Sequence, residues 1–182
     1  VYDIPVFFYD KLPEINLEPQ PLKILFVGGY THPPNEDAVV WFVEEILPII
    51  KESLPGVIFD IVGHAPTNKI QSLKSSSICV HGGVSDEDLL GFYSKTSLVV
   101  APLRFGAGVK GKVIEAMAHG LPVVVTPIGA EGIPLAGSPL AIKETAEEFA
   151  AEVVSLLGDV DRTSEMSSAG LSFISEYYSA AR

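Results

Sequence analysis

The sequence predicts a doubly wound α/β domain, a Rossmann-like parallel sheet with helices on both faces. Three observations carry that prediction. Short apolar runs bounded by Gly, Pro or Asp alternate with segments of helical period. The runs are near-continuous rather than alternating, as strands buried on both faces are. The chain has 182 residues, 47% of them hydrophobic, which suits one domain with a substantial core and two only with difficulty.

Val1–Gln20 carries Pro5, Pro13 and Pro19 and no sustained period, so 1–20 reads as a linker and 21–182 as the domain. Leu22–Gly28 is the first buried strand. From Asn35 to Leu54 the period turns helical, with Ala38, Phe42, Ile46, Ile49 and Ile50 on one stripe. Asn35 is the expected N-cap and Pro55-Gly56 the stop. Strand Val57–Val62, helix Asn68–Ser75 and strand Ile78–Val80 follow. Next come a helix over Asp86–Lys95 capped by Ser85, strand Leu98–Ala101, and a helix over Gly111–His119 stopped by Gly120. Strand Val123–Thr126, a short strand at Leu140–Ile142 and helices Ala146–Leu157 and Arg162–Tyr178 close the chain. Such alternation implies right-handed crossovers and a parallel sheet. Ligands of such sheets bind in the loops beyond the carboxyl ends of the strands. Those loops are Gly28–Pro34, Gly63–Thr67, His81–Val84, Pro102–Lys110 and Pro127–Pro134.

A formal net charge of −11 repels nucleic acid, and no basic stripe offsets it, so no nucleic-acid partner is expected. No apolar run reaches the roughly 18 residues that span a bilayer. Any membrane association is expected to reside in parts outside this chain. No basic segment followed by an apolar one opens the sequence, so no signal peptide is expected. The lone Cys79 cannot form an internal disulfide and points to a reducing, cytoplasmic setting. Within Ser77–Val80 it reads as a small core residue. The first residue is Val rather than Met, from which a piece of a longer protein is expected.

Pro102–Lys112, PLRFGAGVKGK, lies between a buried strand and a helix. Gly106, Gly108 and Gly111 let the backbone approach a ligand, and the helix presents its positive end to the same place. Arg104, Lys110 and Lys112 add three cations to a chain with twelve. A phosphate or diphosphate site is the chemistry this describes. Gly106-x-Gly-x-x-Gly111 formally matches the dinucleotide fingerprint, with Glu131 about twenty residues on. Its context fails, because Pro102–Phe105 intervene after the fourth strand and Thr126 stands where the acidic residue belongs. A Walker loop fits less well, since no Gly-Lys-Ser/Thr triplet is present.

The next stretch, KVIEAMAHGLPVVVTP, carries Glu115-Ala-Met-Ala-x-Gly120-x-Pro122-Val-Val. It resembles the signature of the group 1 (family 4-like) glycosyltransferases, whose GT-B fold joins two Rossmann-like domains. Phe26-Val-Gly-Gly29, Ile61-Val-Gly63, Gly82-x-Val-Ser-Asp-Glu-Asp-Leu89 with Phe92-Tyr93, and Val99–Leu103 fall in matching order. The resemblance covers roughly Leu22 to Pro134 and implies a C-terminal, donor-binding half of a retaining, metal-independent enzyme. It implies that Glu115 accepts hydrogen bonds from the donor's ribose hydroxyls. Gly106, Ala107, Gly108 and Val109, with Arg104, Lys110 and Lys112, would hold the diphosphate. Gly83 and Val84 would meet the base. No cofactor and no metal ligands are expected, the nucleotide sugar being a substrate. The partner is an N-terminal acceptor-binding domain absent from this chain, and no catalytic group is assigned here.

Two departures qualify the resemblance. Ala107 occupies the place of a second glutamate that many members carry, eight residues before Glu115. No cation follows the first strand, so the positive charge is expected to have moved to Arg104–Lys112. The alternative is a non-catalytic GT-B-like module of a larger glycosylation protein. His32, His64 and His119 read as structural or surface residues, His119 at a helix C-terminus that favours a cation. Trp41 and Phe42 read as core or interface.

Overall fold

Six parallel strands pair in the order β3-β2-β1-β4-β5-β6: β1 Lys23–Val27, β2 Ile58–Val62, β3 Ile78–Gly82, β4 Leu98–Ala101, β5 Val123–Val125 and β6 Ala141–Ile142. The computed structural model describes residues 9–10, 12–14 and 22–179. Most of the expected linker therefore lies outside the described residues. Of its described part, the Tyr9 amide donates to the Tyr178 carbonyl at 2.7 Å.

The pleat of β1 divides the core. Ile24 and Phe26 face one side and Leu25 the other, all fully buried. Over the first face lie α1 (Pro33–Trp41), α2 (Leu47–Ser53) and α6 (Ala146–Gly158). Phe42 packs tilted against Phe59 at 4.5 Å and meets Phe149 edge-on at 6.2 Å. Each such ring removes enough apolar surface from water to stabilise the fold by about 1.5–3 kcal/mol. Over the second face lie α5 (Gly111–Ala118) and α7 (Val160–Tyr177), with Tyr93 from α4 (Asp86–Lys95). The short α3 (Asn68–Ser72) packs beside α1.

Four local expectations change. The first long helix starts at Pro33, not after Asn35, because Pro33 and Pro34 suit the N1 and N2 positions, whose amides need no partner. Its N-cap is His32, without a side-chain cap bond. The helix widens to a π-helical turn over Phe42–Ile46 before Pro48, whose ring and missing amide an unbroken α-helix cannot hold. Strand β3 runs on to Gly82, which places His81 in the sheet rather than in a loop. Cys79 is half-buried, not a core residue. Among the described residues no helix is long and apolar enough to cross a membrane.

Candidate functional site

The strand order reverses between β1 and β4, so the crevice opens between the loops leaving their carboxyl ends, 28–32 and 102–110. Close backbone packing ties its β1 wall to the ends of β2 and β3. The Gly28 amide donates to Val62 (2.9 Å), Gly63 to Gly82 (2.8 Å) and Tyr30 to His64 (3.0 Å). A Cβ on Gly63 would stand 1.9 Å from the Gly28 carbonyl oxygen, and one on Gly28 2.6 Å from Lys112 Nζ. These glycines answer to contact rather than to turning.

Lys112, in the first turn of α5, reaches back to β1. Its Nζ lies 4.5 Å from the Phe26 ring centre and donates to Asn35 Oδ1 at 2.5 Å. Asn35 Nδ2 in turn donates to the Gly29 carbonyl at 2.7 Å, so one amide side chain ties the α5 cation to the β1 turn. Burial first, and the Lys110 charge second, lower the Lys112 pKa to about 7. Among the described residues no carboxylate forms an ion pair with it.

The other two cations have partners. Arg104 forks onto Asp37, with Nε at 2.9 Å from Oδ2 and Nη2 at 2.5 Å from Oδ1, and lies 5.5 Å over the Trp41 ring. Hydrogen bonding to Asp37 holds its pKa above the ordinary value. Lys110 is buried and donates to the carbonyls of Gly108 (2.6 Å) and Gly106 (3.4 Å), with Glu131 Oε2 at 3.3 Å. It braces its own loop from within. Gly106 (φ +114°) and Gly108 (φ +88°) occupy a backbone region that side chains disfavour. Among the described residues the amides of Ala107, Gly108 and Val109 have no hydrogen-bond partner. Ala107 and Gly108 are exposed.

Glu115 stands one turn beyond Lys112 on α5, half-buried. Burial raises its pKa, the Tyr93 hydroxyl pulls it down, and Asp86 adds an upward push. Burial and then the Glu115 charge push Tyr9 up to about 12. His119 is buried and stacks on Tyr93 (4.7 Å, 15° between planes), and burial lowers its pKa. Burial thus disfavours the helix-terminal cation expected there, and the Tyr93 ring covers the imidazole. Gly83 is exposed and Val84 half-buried ahead of α4, where Ser85 accepts from the Asp88 amide at 3.1 Å. Residue-by-residue reading missed Asn35 as a bridge and Asp37 and Glu131 as partners. Pro33-Pro34 was a readable signal that Asn35 lies inside the helix; Asp37 and Glu131 left none.

The family model for glycosyl transferases group 1 matches residues 21–159. The chain belongs to this family. A 44.6 kDa protein from the cps region of Klebsiella pneumoniae is 29% identical over 190 residues. That alignment takes in 98% of this chain and 48% of the relative, so the chain spans about half the relative's length. A TarM variant from S. aureus, solved with fondaparinux, α-GlcNAc-glycerol and UDP, superposes with a TM-score of 0.77 at 18% identity. The match covers 98% of this chain and 37% of TarM. The C-terminal domain of the group 1 glycosyl transferase LpcC from Francisella tularensis gives a TM-score of 0.71 at 16% identity, over 87% of each chain. The chain's fold is similar to that of these two solved proteins, and its crevice lies where its own strand order reverses.

Proposed function

We propose that this chain is the donor half of a glycosyltransferase that moves a sugar from a nucleoside diphosphate, with retention and without a metal ion. The observation that carries the reading is Lys112: a poorly solvated ammonium with no carboxylate partner among the described residues, at the head of α5. A buried cation is stable only with an anion or hydrogen bonds to satisfy it, and here a neutral amide is the partner. The unpaired amides of 107–109 and the positive end of α5 add donors for the same anion. On this reading the diphosphate lies on the glycine loop, and the Lys112 ammonium stabilises negative charge as the nucleotide departs. Glu115 accepts from the ribose hydroxyls, and Gly83 and Val84 edge the base. UDP in the TarM complex supports a nucleotide ligand for this fold. Retention rests on the family resemblance, and Lys112 supplies the charge that a divalent ion supplies elsewhere. The acceptor and the groups that activate it belong to a second domain, and the lone cysteine supports a cytoplasmic setting.

Calorimetric titration of the chain with UDP, GDP and their sugars tests donor binding. Saturable binding of at least one is expected; none binding at millimolar concentration would reject the reading.

A second reading, a non-catalytic module, draws on Ala107 and on the pairing of Arg104 with Asp37 and Lys110 with Glu131. Glu115→Gln in the longer protein separates the two. A donor site loses about 1.5–3 kcal/mol of binding with a charge-assisted bond, roughly ten- to a hundredfold in affinity. Unchanged turnover at low donor concentration favours the module.

A further inference from the structure

A second cluster of chemically able side chains lies across β2 and β3, and the donor site uses none of them. Asp60 and Cys79 are register partners on these adjacent strands, and His81 follows Cys79 by two residues. Strand pairing turns Asp60 and Cys79 to one face, and His81, the extra residue where the register shifts between Val80 and Gly82, joins them there. Their carboxylate oxygen, sulfur and ring nitrogen lie within 4.8 Å of one another. His81 Nε2 meets Asp60 Oδ1 at 2.6 Å, while Oδ2 faces Lys23 Nζ at 3.6 Å. The His81 ring packs 4.5 Å from Phe92. Exposure rises from buried Asp60 through Cys79 to His81, so the cluster opens toward solvent.

An Asp–His hydrogen bond accounts for two corners of this triangle and leaves the sulfur without a role. We propose that Asp60 Oδ1, Cys79 Sγ and His81 Nε2 bind one zinc-class divalent ion, with a fourth position open to water. One nitrogen, one sulfur and one oxygen are the donors such an ion takes, at roughly 2.0–2.3 Å in a tetrahedron. That geometry separates ligand atoms by roughly 3.4 Å. The His81–Asp60 contact widens and the sulfur closes in, within the reach of side-chain rotation. On binding, the Cys79 thiol releases its proton to solvent, and His81 binds through the Nε2 lone pair with its proton on Nδ1. Lys23 keeps Oδ2, the outer partner that orients a ligating carboxylate. Its charge opposes the incoming cation; the thiolate, the carboxylate and the chain's net −11 favour it. Sequence spacing did not reveal the site, because Asp60 lies nineteen and twenty-one residues from its partners and meets them only through strand pairing.

The metal-stripped, tag-free chain, titrated with Co²⁺ and read by electronic absorption, tests this. One equivalent should produce tetrahedral d–d bands and a sulfur-to-cobalt charge-transfer band, both bleached by Zn²⁺. Cys79→Ser should abolish the charge-transfer band and weaken binding about tenfold or more. His81→Gln should weaken it comparably while the band remains at saturation. Both positions lie toward the solvent side of the cluster, and circular dichroism verifies that each variant is folded. No stoichiometric uptake by the parent chain, octahedral bands without charge transfer, or variants that bind like the parent would overturn the proposal.

Discussion

An ammonium over the Phe26 ring, hydrogen-bonded to Asn35, is held where water is scarce, and this couples Lys112 to pH in two opposite ways. Raising pH through about 7 discharges it in the ligand-free chain and removes the positive charge that the proposed site offers a diphosphate. UDP affinity should therefore fall between about pH 6 and about pH 9, and a bound anion, by raising the Lys112 pKa, shifts the fall upward. Lys112→Met should bind UDP at least about tenfold more weakly at about pH 6 and lose this pH dependence. Calorimetry across that range checks it, and parallel profiles for parent and variant would refute the role. Stability runs the other way. The folded pKa near 7 lies below the ordinary 10.5, so between these values the unfolded chain binds more protons, and stability due to this group rises with pH. Lys112→Met should thus stabilise the ligand-free chain against urea at about pH 6 more than at about pH 9. Removal of a cation that strengthens the empty fold and weakens the complex distinguishes a binding group from a structural one.

At the carboxyl ends of β1 and β2 the backbones meet so closely that Gly63 has no room for a side chain. Gly63→Ala places a Cβ against the Gly28 carbonyl, and backbone, unlike a flexible side chain, yields only by moving β1 or β2. A loss of about 1–3 kcal/mol is expected, read by urea unfolding, with UDP affinity reduced because Gly28 also borders Lys112. Gly91→Ala, inside α4 with open space around the new methyl, should instead stabilise by about 0.5–1 kcal/mol. The elements were largely legible because buried strands are continuous apolar runs and Ser85 announces α4. Asn35 misled because it is a good N-cap residue by type, while two prolines before it had already started the helix. The π-helical turn left no periodic trace. At the site, glycines and lysines marked the loop, whereas which cation remains without a carboxylate depended on Asp37 and Glu131. These lie 67 and 21 residues from Arg104 and Lys110 and meet them only after folding.

On the proposed function two such domains divide a transfer reaction between them, and this chain corresponds to 48% of its Klebsiella relative. In the proposed site the contacts to base and ribose act on ground state and transition state alike, whereas Lys112 acts on charge that develops only once an acceptor is in place. On the same proposal, rate enhancement needs the acceptor oriented against the anomeric carbon and water kept out, tasks that fall to the second domain. The chain alone should therefore retain nucleotide affinity and lose turnover. Titration calorimetry and release of UDP or GDP from the matching sugar nucleotide measure the two properties on one preparation. The longer protein should bind the nucleotide within about tenfold of the isolated chain, since the proposed site draws its diphosphate contacts from 104–115. Release by the isolated chain should stay at the uncatalysed background. Turnover by the chain alone would mean that the crevice between β1 and β4 holds a complete catalytic apparatus, and the division of labour argued from Lys112 and Glu115 would be wrong.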